Sequence, residues 1–205
     1  MLTIGLTGQS GAGKGVFSEI FCTYDGVVCI DTDKTARSVV EKGKPCLGKL
    51  CECFGDEILL SDGTLDRRKL AAVAFTDKEK HNCLNEITHF YIMKEINAWL
   101  SDMEKQGAKV AIIDAPLLFE STADKLCDMT IGIISPKEKR LERIIVRDNI
   151  DEKNARIRLD SQPDDSFFEE KCTHILVNDS SVCDFEIKAR KFIEEILRDT
   201  ERYKV

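Results

Sequence analysis

Short continuous apolar runs alternate along this chain with stretches whose apolar residues recur every three to four positions. The continuous runs fall at Leu2–Leu6, Val27–Ile30, Lys109–Ile113, Met129–Ile134 and His174–Val177. Strands that are apolar on both faces belong to a parallel sheet covered by helices, so these five runs predict an α/β layer structure. Helical spacing appears from Val16 to Phe21, at Leu47, Leu50, Cys51 and Phe54, and over a long segment from about Asp77 to Lys105. Ser135-Pro136-Lys137-Glu138 predicts a further helix start: a serine cap, proline at the first position, and glutamate three residues after the cap. The last helix is expected to turn Phe185, Ala189, Phe192 and Ile196 to the core and to end in a polar tail running out to Val205. Between Ile30 and Lys109 the chain reads as several helices without a strand. That segment is expected to be a helical insertion beside the sheet, large enough to cover a second substrate.

Composition narrows the class. The chain has 205 residues, 42% hydrophobic and 33% charged, which suits one sizeable domain with a full core. A net charge of −7 argues against a general nucleic-acid binder, so a polyanionic ligand requires a local basic cluster. Nine cysteines, without paired C-x-x-C spacing, read as reduced core residues of a cytosolic protein. Cys51 and Cys53 with His81 or His89 lack the spacing and flanks of a metal site. With no charged-then-apolar leader and no apolar run near the roughly 18 residues of a span, the expectation is a soluble cytoplasmic protein without a membrane partner. Oligomeric state is left open.

Gly8-Gln9-Ser10-Gly11-Ala12-Gly13-Lys14 follows the first strand and runs directly into a helix. This is the form of a phosphate-binding loop, G-x-x-x-x-G-K. Its glycines let successive backbone N–H groups turn toward an anion, Lys14 adds a mobile charge for the β- and γ-phosphates, and the helix aims its positive end at the same place. The nucleotide site is therefore expected at Gly8, Gly11, Ala12, Gly13, Lys14, Gly15 and Val16, with a nucleoside triphosphate and Mg²⁺ as its ligands. Gly15 stands where a Ser or Thr hydroxyl normally holds the Mg²⁺. Asp31-Thr32-Asp33 ends the second strand, where an open parallel sheet forms its ligand crevice. Asp33 is read as the base that takes the acceptor proton, while Asp31 suits a helix cap as well as a functional role. Asp114 ends the strand Ala111–Asp114 in the manner of a Walker-B carboxylate and is expected to reach the metal through water.

Five of the eleven arginines fall between positions 140 and 158. Arg140, Arg143 and Arg147 lie at i, i+3 and i+7 and share one helix face, opposite Leu141, Ile144 and Ile145. An all-arginine stripe suits bidentate contact with phosphate oxygens, and the break at Asp148-Asn149-Ile150-Asp151 gives the segment the form of a lid. Glu142 and Asp148 nearby leave an ordinary solvated face as the alternative.

These features together resemble the dephospho-CoA kinase family. The resemblance spans nearly the whole chain: Gly5-Leu6-Thr7-Gly8 with the loop, Ile30-Asp31-Thr32-Asp33 with Ala36-Arg37, and Asp62-Gly63-Thr64-Leu65-Asp66-Arg67-Arg68-Lys69-Leu70. It continues in Leu84-Asn85-Glu86-Ile87-Thr88-His89, Asp114-Ala115-Pro116-Leu117-Leu118-Phe119-Glu120, and Arg147-Asp148 with Arg158 and Gln162. It implies a phosphate-loop fold and transfer of the ATP γ-phosphate to the ribose 3′-hydroxyl of dephospho-CoA, the final step of coenzyme A synthesis. It further implies Lys14, Asp33 and Arg140 as catalytic residues, and an acceptor pocket drawn from Asp33, Arg37, His89, Pro116, Leu117 and Glu120. The family usually has Ser-Thr where this chain has Gly15-Val16, and proline where it has Phe90. The resulting layout is a single domain with its core at 1–32, 106–136 and 172–205, an acceptor region at about 33–105 and a lid at about 137–165. Other readings are another small-molecule kinase, a nucleotide switch, which lacks an Asn-Lys-x-Asp motif here, and an ATP- or CoA-binding paralogue weakened at Gly15.

Overall fold

The computed structural model describes residues 1–198; the expected polar tail to Val205 lies outside the described residues. The chain divides into two compact units, residues 1–30 with 103–205 and residues 31–102.

The first unit carries the sheet. Its strands β1 (Leu2–Gly8), β2 (Val27–Asp31), β3 (Val110–Asp114), β4 (Met129–Ile134) and β5 (His174–Val177) lie in the order β2-β3-β1-β4-β5. β1 pairs in parallel with β3 and β4, and β4 with β5. Every residue of β1 and β4 is buried, which is why these strands read as unbroken apolar runs. The register sets Leu6 beside Asp114, Gly8 beside Ile133, and Ile134 beside Val177. The chain therefore leaves β1, β3, β4 and β5 along one edge, where ligands of open parallel sheets bind.

Helices α1 (Lys14–Phe21) and, further along the chain, the C-terminal Val182–Arg198 helix pack against this sheet. Phe17 and Phe21 of α1 meet edge-to-face at 5.7 Å, and Phe185, Ala189, Ile193 and Ile196 of the C-terminal helix join the same core. A fully buried phenylalanine contributes roughly 1.5–3 kcal/mol. Phe192, expected in the core, is only partly buried against it.

In the second unit lie α2 (Thr32–Ser38), α3 (Pro45–Phe54), α4 (Arg67–Ala74) and most of α5 (Lys78–Lys105). Their common core holds Val39, Val40, Cys46, Leu50, Phe54, Ile58, Leu70 and Ala74, with Leu84, Ile87 and Tyr91 of α5 packed against it. The Asp62–Asp66 stretch is local architecture. Asp62 accepts from the N–H and hydroxyl of Thr64, and Asp66 caps α4 by accepting from the N–H groups of Arg68 and Lys69.

Back in the first unit, α6 (Lys137–Asp148) and α7 (Glu152–Asp160) share a small core of Leu141, Ile144, Ala155 and Leu159. The expected break between them is present: Asn149 is left-handed at φ 50°, and Asp151 caps α7. α8 (Asp165–Lys171) follows, then β5 and α9, the Val182–Arg198 helix.

Two expectations are corrected. Ser135 does not cap α6, which starts one residue later with Pro136 at its N-cap; the buried Ser135 hydroxyl instead donates to the Asn178 carbonyl at 2.5 Å, because both leave adjacent strands at the same edge. The cysteines are not a core set. Only Cys46 is buried, while Cys22, Cys53 and Cys183 are exposed, since helical and turn positions next to apolar residues face outward as readily as inward.

Candidate active site

The phosphate loop is shaped by what lies behind it. Gly11, at φ +78°, and Gly13, at φ +105°, occupy backbone conformations that side chains resist. A Cβ on Gly11 would lie 2.8 Å from the Arg140 carbonyl oxygen, and one on Gly13 would lie 2.5 Å from Asn178 Nδ2. The loop thus sits directly on α6 and the β5–α9 turn.

Its carbonyls are taken by these supports. Asn178 Nδ2 donates to the Ala12 carbonyl at 2.8 Å, and Arg143 Nη1 donates to the Gly11 carbonyl at 3.1 Å. In a trans peptide the N–H points opposite to the C=O, so anchoring the Ala12 carbonyl on Asn178 turns the Gly13 N–H away from it. The N–H groups of Lys14, Gly15 and Val16 open α1 and have no intrahelical acceptor. Four successive donors at the positive end of a helix form an anion cradle. Lys14 Nζ pairs with Asp114 Oδ1, and both side chains are largely buried. The carboxylate expected near a metal therefore holds the loop lysine. Around Gly15 nothing lies within 4 Å of a would-be Cβ, so packing does not dictate the missing side chain.

All three arginines of the stripe on α6 are engaged on or near the loop. Arg143 also bonds Ser135 Oγ and Asn178 Oδ1. Arg140 is 5% exposed and donates from Nε to the Ser135 carbonyl at 3.0 Å; burial pushes its guanidinium below its ordinary value. The sequence suggested an accessible lid arginine, whereas here the Arg140 side chain is buried on the Ser135 carbonyl, and it is the Arg140 backbone that lies against Gly11 of the loop. Arg147 reaches Ser10 Oγ at 3.2 Å and pairs with Asp148, which also receives Arg158 Nη1 at 2.5 Å. The hydrogen bond from Arg147, with the charges of both arginines, holds the Asp148 carboxyl below the usual carboxylate range. Arg156 is different, pairing with Glu138 and Glu152 in an ordinary surface cluster.

Several participants carry no sequence motif. Asn178, 4% exposed, ties together Ala12, Arg143, Ser135 and the end of β4. Its only sequence signal is a polar residue directly after a strand. Gln162 Oε1 accepts from the Ser10 N–H, while Gln9 Nε2 donates to the Pro163 carbonyl and to Asp165. Gln9 Oε1 is buried without a partner among the described residues.

The Asp114–Glu120 turn follows β3. Thr7 Oγ1 donates to the Pro116 carbonyl, and Leu118 fills the space over Gly5, where a Cβ would come within 2.8 Å of it. Pro116, Leu117 and Glu120 remain exposed.

In the second unit Asp31 Oδ1 accepts from the N–H groups of Asp33 and Lys34 and so caps α2. Burial works to raise the Asp31 carboxyl, but those hydrogen bonds and the Lys34 charge outweigh it and hold the group low. Asp33 is left free of capping and exposed, one helical turn before exposed Arg37, so the two share a face of α2. His89 is half-buried on α5, and Phe90 beside it is 63% exposed.

The residues fit a nucleoside triphosphate: an amide cradle, a lysine and an arginine face at one sheet edge. Among the described residues no group of three or more His, Cys, Asp or Glu side chains is arranged to hold a metal, and no helix is long and apolar enough to cross a membrane.

Comparison with known proteins agrees. Residues 2–184 match the family model described as dephospho-CoA kinase. A dephospho-CoA kinase from Corynebacterium glutamicum is 39% identical over 197 residues, covering 96% of this chain and 98% of that protein. The solved dephospho-CoA kinase of Campylobacter jejuni superposes with a TM-score of 0.63 at 29% identity, over 95% of this chain and 96% of the other. A shikimate kinase from Bacteroides thetaiotaomicron shares the fold, with a TM-score of 0.55 at 14% identity over 95% and 98% of the two chains.

Proposed function

The chain belongs to the dephospho-CoA kinase family, and from that premise we propose that it transfers the γ-phosphoryl group of ATP to the ribose 3′-hydroxyl of dephospho-CoA in the cytoplasm. The observation that carries the reading is the braced loop, whose carbonyls are occupied by Asn178 and Arg143 while its donors are set toward an anion. Such donors are already oriented when charge builds up on the transferring group.

Each residue then has a role. The N–H groups from Gly13 to Val16 hold the β-phosphate. Lys14 exchanges Asp114 for the β- and γ-phosphates. Arg147, on the loop side of α6 and about half-exposed, contacts the phosphates, and Arg140 and Arg143 position the loop beneath them. Asp33 orients the acceptor hydroxyl and takes its proton as the new O–P bond forms and the bond to the ADP oxygen breaks. Arg37, His89 and the Pro116–Glu120 turn recognise the rest of the acceptor. Asp114 is the carboxylate that would reach a nucleotide-bound Mg²⁺ through water once Lys14 has moved, and the ion would supply charge neutralisation for the transferring phosphates.

Incubation with ATP, Mg²⁺ and dephospho-CoA should yield ADP and 3′-phosphorylated product in equal amounts. Turnover of shikimate or a nucleoside instead would overturn the choice of acceptor. Gly15 favours a second reading, a binder with weakened chemistry, because it lacks the hydroxyl that ordinarily meets the metal. Binding of both substrates without turnover at saturating Mg²⁺ would establish it.

A further inference from the structure

In the second unit Cys53, one residue before the end of α3, and Cys83, in the second turn of α5, place their sulfurs 2.9 Å apart. A disulfide bond is about 2.05 Å long, so closing this gap takes about 0.9 Å of sulfur movement. Thirty positions separate the two residues in sequence, so this proximity comes from packing. α3 and α5 meet over the core that holds Leu50 and Phe54 of one helix and Leu84 and Ile87 of the other. Cys53 is exposed and Cys83 is half-buried behind it. An accessible thiol backed by a second thiol in contact is the arrangement of an attacking and a resolving cysteine.

We propose that Cys53 and Cys83 are a reversible redox site, oxidised by low-molecular-weight disulfides to an intramolecular disulfide that staples α3 to α5. The Cys53 thiolate attacks one sulfur of the small disulfide, forming a mixed disulfide and releasing one thiolate. The Cys83 thiol then loses its proton and attacks the Cys53 sulfur, forming the protein disulfide and releasing the second thiolate. Two electrons pass from the protein to the small disulfide, which leaves as two thiols. In the reduced pair the hydrogen bond with Cys53, together with burial, pushes the Cys83 thiol up to about 11, which leaves Cys53 as the attacking sulfur and Cys83 as the resolving one. The bond acts on the unit that also carries Asp33, Arg37 and His89.

The test uses the whole protein and oxidised glutathione, with peptide mapping and thermal unfolding as readouts, so it does not depend on kinase activity. A competing target is exposed Cys22, whose thiol is pulled down to about 7 by its hydrogen bond with Cys29; mapping separates the two sites. The expected result is a cross-linked Cys53–Cys83 peptide two hydrogens lighter than the free thiols, lost on treatment with dithiothreitol. A rise in Tm on the order of 5–10 °C should accompany it. Cys53→Ser, at an exposed position, should fold normally, form no linked peptide and show no rise in Tm. Cys83→Ser should stop at a glutathione adduct on Cys53. The proposal is overturned if the wild-type map shows either residue free or glutathione-capped without the link, or if the rise in Tm survives in Cys53→Ser.

Discussion

Around the phosphate loop Arg143, Asn178 and Gln162 occupy the Gly11 carbonyl, the Ala12 carbonyl and the Ser10 N–H, whereas in residues 31–102 Asp33, Arg37 and Phe90 stand exposed on helix surfaces. Buried polar pairs hold the first region, and an apolar helical core with sparse surface chemistry forms the second. The difference suits the two tasks proposed for these regions. A cradle for phosphates works by donors fixed in advance, and every buried partner reduces the reorganisation needed when charge develops. Residues that admit and release a large acceptor have to remain accessible. The loop side should therefore respond to mutation through both stability and nucleotide affinity, and the acceptor side through turnover alone.

The largest effect is expected for Lys14→Ala. Removing the charge that meets the transferring phosphates should lower kcat by about 10³-fold. Circular dichroism should show the same secondary structure, with a lowered Tm because Asp114 loses its largely buried partner. Near-normal turnover would break the assignment of the loop.

Asp33→Asn comes next, with kcat falling at least about 10²-fold and the KM for ATP nearly constant. This variant probes the comparison directly, since an equal rise in the KM for ATP would place Asp33 on the donor side.

Asn178→Ala should give the loop-side pattern. The Ala12 carbonyl and the Arg143 guanidinium each lose a buried partner, a loss of about 1–3 kcal/mol measurable by urea unfolding, and the KM for ATP should rise about tenfold as the loop loses its brace. A destabilised protein with unchanged nucleotide kinetics would separate loop support from catalysis.

The smallest effect is expected for Gly15→Ser. The space around this position is open, so the hydroxyl should be accepted without strain and reduce the Mg²⁺ concentration for half-maximal rate several-fold, roughly the gain of one oxygen ligand. An unchanged Mg²⁺ titration would mean that water already completes the shell.

The sheet was legible because burial on both faces demands continuous apolar residues, and all five expected strands are present, two with the expected bounds and three with ends shifted by one or two residues. The phosphate loop was legible because only glycine holds the backbone of Gly11 and Gly13. The cap at Ser135 was misread because a serine before a proline looks the same whether its hydroxyl serves its own helix or a residue 43 positions away.

Local chemistry settled by itself where the strands run, where the loop bends, where α6 gives way to α7, and that arginines share a face of α6. Tertiary structure alone decided that this face lies against the loop, that Asn178 joins four segments, that Lys14 rests on Asp114, and that Cys53 meets Cys83. Periodicity and backbone preference act between near neighbours and are written in consecutive residues. A hydrogen bond or sulfur contact across 30 to 166 positions depends on strand order and helix packing, which no short window of the chain contains.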